Sequence, residues 1–456
     1  MPLSVIILAA GKGSRMKSEK PKVIHKLAGV PMLQHVVNTA RHLNPEQILI
    51  VIGHESHQVE SAMQEQDLIF VEQTEQLGTG HAVLQCSDLL NDGNDLLVLY
   101  GDVPLIKSST LEKLLHQGAT QNAVCLLSFI AENPTGYGRV VRHHNNDVQA
   151  IVEEKDADVE TKKITESNSG IMFIQGKKGF NLLHSLENNN AQHEYYLTDV
   201  VRLAVEKDLP VNAVICEDEN EVLGVNNQSQ LAELEAIYRG YRAQELMLRG
   251  VKITDPSRID IRGEIVVGKD VSIDINCILE GKVELADGVE IGPNCVIKNS
   301  RIGAGTIIQS MCVIENSELG DNNDIGPYAR IRPETKTLSN AKIGNFVEVK
   351  KSLIGKGSKV NHLTYIGDTE MGENVNIGAG TITCNYDGAY KHKTIIEDNV
   401  FVGSGTQLVA PVLISEGSTI GAGSTITKQT PAGKLTFSRA KQVSISGWVR
   451  PSKKKS

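Results

Sequence analysis

No two of the seven cysteines stand as Cys-x-x-Cys, and their number is odd. Neither a disulfide framework nor a zinc site is indicated. Positive charge is also in short supply: 46 Lys and Arg against 55 Asp and Glu leave a formal net charge of −9. Nucleic acid and anionic membrane are therefore not expected as main partners. The one basic run is at 453–455, in a tail expected to be disordered. Long apolar runs are missing as well. Residues 5–10 are too few for a membrane span or a signal segment, and no basic stretch precedes them. The expectation is a cytoplasmic protein without a membrane anchor. Glycine, in contrast, is abundant, with 41 residues.

Much of that glycine belongs to a repeat. Ile261, Val267, Ile273, Leu279, Leu285, Ile291 and Ile297 recur every six residues. After a slip of one, Ile302, Ile308 and Ile314 continue the series. It resets at Leu319, Ile354 and Met371 and closes with Ile396, Val402, Leu408, Ile414, Ile420 and Ile426. Glycine follows many of these positions, among them Gly268, Gly292, Gly303, Gly355, Gly372 and Gly403. A period of six matches neither helix nor ordinary strand. It fits a parallel β-helix of hexapeptide repeats, each short strand turning one aliphatic inward. Residues 252–430 then make on the order of ten coils, stabilised by stacking. Length alone suggests roughly three domains, a number the solenoid lowers because it grows without a new core. Such a fold leaves function open.

The first half follows another rule. Apolar runs at 5–8, 48–52, 96–99 and 123–129 alternate with helical or loop sequence. This predicts a mostly parallel α/β sheet covered on both faces, with ligands at the carboxyl ends of its strands. Residues 227–249 read as one helix, with Leu231, Leu234, Tyr238 and Tyr241 on one face and Gly250 as C-cap. The expected division is 1–228, a helical arm at 229–250, and a solenoid domain at 251–456.

After the first strand comes Leu8-Ala9-Ala10-Gly11-Lys12-Gly13-Ser14-Arg15-Met16, then Pro21-Lys22. A glycine turn there either cradles phosphate on backbone N–H groups or is simply a tight turn. It is not a Walker loop, and Met16 stands where a dinucleotide fingerprint needs its third glycine. Arg15 and Lys22 favour phosphate. Asp102, in Tyr100-Gly101-Asp102-Val103-Pro104, ends a buried strand, where a carboxylate is either a turn residue or a ligand for Mg²⁺. Together these segments resemble the signature of sugar-1-phosphate nucleotidyltransferases of Rossmann-like fold, with Ser14 where that family more often has Thr. The resemblance implies that Asp102 and Asn226 hold Mg²⁺ and that Arg15 and Lys22 act on the triphosphate of UTP. It also implies that Leu8, Ala9, Ala10, Gly11, Gln73, Gly78, Thr79, Tyr100 and Gly101 contact the nucleotide, and that Gly138, Glu153 and Asn168 contact the sugar. The amide of Gln73 suits the imide edge of uracil.

The hexad register is interrupted between Ile377 and Ile396 by a polar excursion, Thr381-Ile-Thr-Cys-Asn-Tyr-Asp-Gly-Ala-Tyr-Lys-His-Lys393. Around it stand Arg330, Arg332, Lys350, Lys351, His362, Tyr365 and Asn376. Each alone reads as a solvated surface residue; as a group they point to catalysis. With His362-Leu-Thr-Tyr-Ile-Gly-Asp368, the whole chain resembles the bifunctional N-acetylglucosamine-1-phosphate uridyltransferases / glucosamine-1-phosphate N-acetyltransferases of bacterial peptidoglycan and lipopolysaccharide synthesis. Their acetyl half is a left-handed β-helix. The resemblance makes His362 the general base and places the sugar phosphate on Arg332, Lys350, Tyr365 and Asn376. Acetyl-CoA falls to Ala379, Asn385, Tyr386, Ser404, Ala422 and Arg439. It further implies a homotrimer with acetyl sites shared between chains. Gly405 departs from a frequent Asp, which bears on the CoA pocket. Cys384, inside the excursion, reads as a buried small side chain more readily than an exposed thiol. Two rival readings are a nucleotidyltransferase with a merely oligomerising or regulatory β-helix, and a non-catalytic scaffold of the same folds.

Overall fold

A computed structural model describes residues 2–11, 13–53, 55–63, 65, 67–91, 93–120, 123–190 and 192–453. Lys12 of the glycine turn, and Lys454 and Lys455 of the basic tail, lie outside the described residues. The chain forms two compact units, Met1–Tyr238 and Arg239–Ser456, and the division falls inside the helix Gln228–Leu248. That helix ends as its sequence demands. Gly250 adopts φ 92°, and the Val251 N–H returns 3.1 Å to the Leu246 carbonyl.

The first unit is built on a nine-stranded sheet whose main path runs Val211–Cys216, Val124–Ile130, Glu166–Ile174, Asp95–Tyr100, Leu3–Leu8, Gln47–Ile52, Leu68–Glu72. All pairings along the path are parallel except those of Glu166–Ile174, which is antiparallel to both neighbours. The apolar runs are continuous because both faces are covered. Val5 and Ile7 pack with Leu97 and Leu99 in one core, while Ile6 and Leu8 pack with Leu96 and Val98 in the other. All four expected strands are present. The antiparallel strand was not legible, because Glu166-Ser-Asn-Ser-Gly170 carries little apolar signal.

The second unit is a solenoid of parallel strands, grouped as an 11-stranded and a 17-stranded sheet. Most strands are two or three residues long, with a single side chain inward. The hexad residues stack in register, as in Ile273, Ile291, Ile308, Ile325, Ile343, Val360, Ile377, Val402 and Ile420. The aliphatics of the sequence series are buried apart from Val267, which is partly covered at the first coils. Glycine follows them because coils approach closely: a Cβ on Gly355 would come within 1.9 Å of the Gly372 carbonyl oxygen. Among the described residues no helix is long and apolar enough to cross a membrane.

Candidate functional site

In the first unit, the carboxyl ends of Leu3–Leu8 and Asp95–Tyr100 open onto a pocket of about 280 Å³. Leu8, Ala9, Ala10, Gly11, Lys22, Gln73, Gly78, Thr79, Tyr100 and Asp102 line it. Sequence reasoning missed four further wall residues, Val23, Gln76, Ala82 and Glu194. Gln76 lies within the same Gln73–Thr79 loop, and its Nε2 donates to the Ala10 carbonyl at 2.7 Å. Glu194 comes from a distant segment and carried no local signal.

The glycine turn is shaped by close approach. Gly13 has φ 58°, and a Cβ there would meet Lys22 Cβ at 2.8 Å. Lys22 is thereby brought to the Asp102 carboxylate, with which it forms an ion pair. Its Nζ also lies 3.4 Å from Asn226 Oδ1, and Arg15 Nη2 donates to that same oxygen at 2.8 Å. Asp102, Asn226, Lys22 and Arg15 thus converge, although 211 residues separate Arg15 from Asn226. Two hard oxygens, of Asp102 and Asn226, face the two cations Lys22 and Arg15, and such an oxygen pair also suits a small divalent ion.

Gly101, between two lining residues, is pinned by its N–H to the Leu8 carbonyl at 3.0 Å. Gly138, Glu153 and Asn168 meet beside the pocket rather than in its wall. The Asn168 N–H donates to the Gly138 carbonyl at 2.8 Å, and the Glu153 carboxylate stands against Gly138. They adjoin the pocket through Tyr100, whose ring passes over Gly170, where a Cβ would come within 2.6 Å. Burial raises the Tyr100 hydroxyl well above its ordinary value, helped by the charges of Glu153 and Asp102. Burial also raises the Glu153 carboxyl, against the opposing effect of the Thr198 hydroxyl 3.1 Å away.

In the second unit the residues gather on two sides of one solenoid corner. His362 ends the strand Lys359–His362 and is exposed. Its Nδ1 lies 2.7 Å from Asn345 Oδ1, one coil earlier. Because a carbonyl oxygen only accepts, Nδ1 carries the proton and Nε2 is left as the basic nitrogen. Past the corner, Glu348 and Lys350 pair with Tyr365 and Gly367 of the next coil. Arg332 Nη1 donates to Glu348 at 2.6 Å. Lys391, from the excursion, approaches Lys350 within hydrogen-bonding reach, and that contact, with the like charge, lowers its affinity for a proton. Two ammonium groups, and a guanidinium now paired with Glu348, are chemistry that suits an anion.

The excursion is ordered. Asn385 donates to Asp368, and His392 Nε2 lies 2.7 Å from Asp387. The N–H groups of Tyr390 and Ala389, with His392, hold the Asp387 carboxyl far below its usual range. Tyr386 donates to the Gly388 carbonyl at 2.6 Å. Cys384 is partly buried, between the two readings its sequence left open.

Ala379, Ser404 and Ala422 occupy the same corner position of successive coils. Gly405 N–H donates to the Ala379 carbonyl at 2.7 Å and Gly423 N–H to that of Ser404 at 2.8 Å. Arg439 Nη1 reaches the Ala422 carbonyl at 2.9 Å, which completes a continuous edge. Asn376 sits on the His362 side, and no hydrogen bond among the described residues joins it to Tyr365 or Asn385. Asn345, Glu348 and Lys391 were not singled out from sequence, because strand pairing brings the first two in from other coils and the fold of the excursion brings in the third.

Comparison with known proteins agrees with both halves. Residues 5–166 match the MobA-like NTP transferase domain, 261–337 the GMPPB C-terminal domain, and 393–428 the bacterial transferase hexapeptide of six repeats. A Marinobacter nauticus protein named bifunctional protein GlmU is 52% identical over 452 residues, covering 99% of each chain. Proteins of the same name from Burkholderia vietnamiensis and Dechloromonas aromatica are 52% and 53% identical, each covered over its full length, with 100% and 99% of this chain aligned.

Proposed function

The chain belongs to the family of bifunctional GlmU proteins, and we propose that it acetylates glucosamine-1-phosphate and then couples the product to UMP. In the first step His362 Nε2 takes a proton from the sugar amine as the amine attacks the acetyl carbon of acetyl-CoA; the carbon–sulfur bond breaks and CoA leaves. Asn345 keeps the other ring nitrogen protonated. Arg332 and Lys350 bind the sugar phosphate, Arg332 exchanging the Glu348 carboxylate for it. Tyr365 and Asn376 hold the sugar. Asn385, Tyr386, Ala379, Ser404, Ala422 and Arg439 hold acetyl-CoA along the edge, and backbone near Ala379 stabilises the oxyanion.

In the second step a phosphate oxygen of N-acetylglucosamine-1-phosphate attacks the α-phosphorus of UTP. The bond to the bridging oxygen breaks and pyrophosphate leaves, giving UDP-N-acetylglucosamine. The step brings anions together, so positioning and positive charge suffice without a covalent nucleophile. Lys22 and Arg15 supply charge, Gly11 and its neighbours hold the triphosphate, Gln73, Gly78 and Thr79 the base, and Gly138, Glu153 and Asn168 the sugar. The oxygens of Asp102 and Asn226 suit Mg²⁺, which would neutralise triphosphate charge there.

The active assembly is a homotrimer. The separation of Asn376 from Tyr365 and Asn385 within one chain supports an acetyl site completed by neighbours. The observation that carries the whole reading is the pairing of His362 with Asn345, together with the Arg332, Lys350 and Lys391 group past the same corner, which a passive solenoid does not need. The test crosses UTP and dTTP with glucosamine-, N-acetylglucosamine- and glucose-1-phosphate, with and without acetyl-CoA. With acetyl-CoA present, thiol release is expected with glucosamine-1-phosphate and not with the other two sugar phosphates. Pyrophosphate release is expected with N-acetylglucosamine-1-phosphate, or with glucosamine-1-phosphate once acetyl-CoA is present. Pyrophosphate release without any thiol release would leave the solenoid as an oligomerising spacer.

A further inference from the structure

Gln73 is 4% exposed and forms part of the first-unit pocket wall. Its amide nitrogen lies 3.1 Å from the Gly78 carbonyl oxygen and 3.0 Å from His81 Nδ1. The Gly78 oxygen can only accept, which settles the end of the amide that carries nitrogen. An amide nitrogen has two protons, so the second goes to His81, and Nδ1 of that ring is the unprotonated nitrogen. The ring proton then sits on Nε2, 3.2 Å from the Gln85 amide nitrogen, which also donates to the His81 carbonyl at 3.4 Å; a half-turn of that amide gives up the carbonyl contact and turns its oxygen to the ring proton. Both N–H groups of Gln73 are thus engaged inside the protein. Only its Oε1 remains for a ligand, and no donor among the described residues reaches it.

The imidazole is itself held firmly. The short helix Thr79–Leu84 carries it. Its start is fixed by the Gly80 N–H to the Tyr195 carbonyl at 2.8 Å and by the Leu197 N–H to Thr79 Oγ1 at 3.1 Å. The Tyr195 ring lies 6.3 Å from the His81 ring.

We propose that His81 is a positioning residue for nucleobase choice: it locks the Gln73 amide so that the bound base meets an acceptor and never a donor. Uracil carries a proton on N3 and satisfies that acceptor. Cytosine presents an unprotonated N3, and two acceptors face each other. This deepens the reading of Gln73 as the base-contacting residue and rests on it. Without the His81 nitrogen only the Gly78 carbonyl holds the amide, so the flipped orientation, with an N–H toward the base, gives up one hydrogen bond instead of two and cytosine is tolerated better.

The test measures kcat/KM for UTP and CTP with N-acetylglucosamine-1-phosphate in the full-length protein. Wild type is compared with His81→Leu, His81→Asn, Gln85→Ala and Gln73→Ala, with thermal denaturation of each variant as the control for folding. In His81→Leu the UTP-to-CTP ratio is expected to fall about tenfold, the size of one net hydrogen bond, through KM more than kcat. His81→Asn, whose side-chain oxygen reaches where Nδ1 stands, keeps most of the ratio. Gln85→Ala, which removes only the ring's other neighbour, lowers it by a smaller factor and decides the matter if His81→Leu does not fold. A wild-type ratio in both His81→Leu and Gln85→Ala, or equal loss with both nucleotides, overturns the lock. An unchanged ratio in Gln73→Ala instead overturns the base-contact assignment on which the lock depends.

Discussion

Glu153 shows how one side chain carries a cost of function. Burial raises its carboxyl pKa, so the fold favours the neutral form. Well below the ordinary carboxylate value, folded and unfolded chains are both protonated there and nothing is lost. As pH rises past that value the unfolded chain ionises freely while the folded one resists, and stability falls. Glu153→Gln should therefore raise the melting temperature at about pH 8 and leave it unchanged near about pH 3, while weakening sugar-phosphate use. An equal change at both pH values in thermal denaturation would refute this. His362→Ala should lower acetyl transfer by about 10²–10⁴-fold, the usual range for a general base. The deficit should shrink from about pH 6 to about pH 9 as free amine accumulates, and uridyl transfer should not change. Thiol release from acetyl-CoA across that range is the measurement, and wild-type rates throughout would remove His362 from the mechanism.

Among elements, the glycine turn matters because it sets where Lys22 stands. A Cβ at Gly13 would both strain a left-handed residue and strike Lys22 Cβ. Gly13→Ala should displace Lys22 from Asp102 and cost on the order of 10² in uridyl transfer, as expected for a displacement of about an ångström. Acetyl transfer should survive. Near-normal pyrophosphate release would show that the turn tolerates the shift. The excursion offers a different probe. Cys384 is the only free cysteine among the described residues that is not buried, and partial burial raises its thiol pKa. Alkylation of the native protein should therefore reach Cys384 alone, faster as pH rises and thiolate forms. Peptide mapping that finds Cys86 or Cys125 equally modified would contradict this, since burial pushes both thiols up to about 12.

At the scale of the molecule, every residue assigned to the first site lies at or before Asn226, and every residue of the second at or beyond Arg332. A chain ending at Arg249 should keep uridyl transfer and lose acetyl transfer. A folded truncated chain that releases no pyrophosphate from UTP and N-acetylglucosamine-1-phosphate would end this division of labour. In the intact protein, acetyl transfer should fall on dilution below the assembly constant while uridyl transfer per chain holds, because only the former is proposed to need neighbours.

Periodicity is a local property of a chain, and the sequence determined what is periodic. The hexad named the solenoid because each coil repeats one burial requirement, and Ile273 through Ile420 stack as that requirement demands. The apolar strands at 5–8 and 96–99 were legible because a doubly covered strand must be apolar throughout. Motifs such as Gly11-x-Gly13 and Gly101-Asp102 were legible because their chemistry lies within a few residues. Contacts between distant segments were not. The pairing of His362 with Asn345 depends on strand register, the facing of Lys350 by Lys391 on how the excursion folds back, and the closing of the pocket by Glu194 on a loop far along the chain. The orientation of the Gln73 amide belongs with these. Its residue type says only that it can donate and accept, and the fold, through Gly78 and His81, decides which of the two the ligand meets.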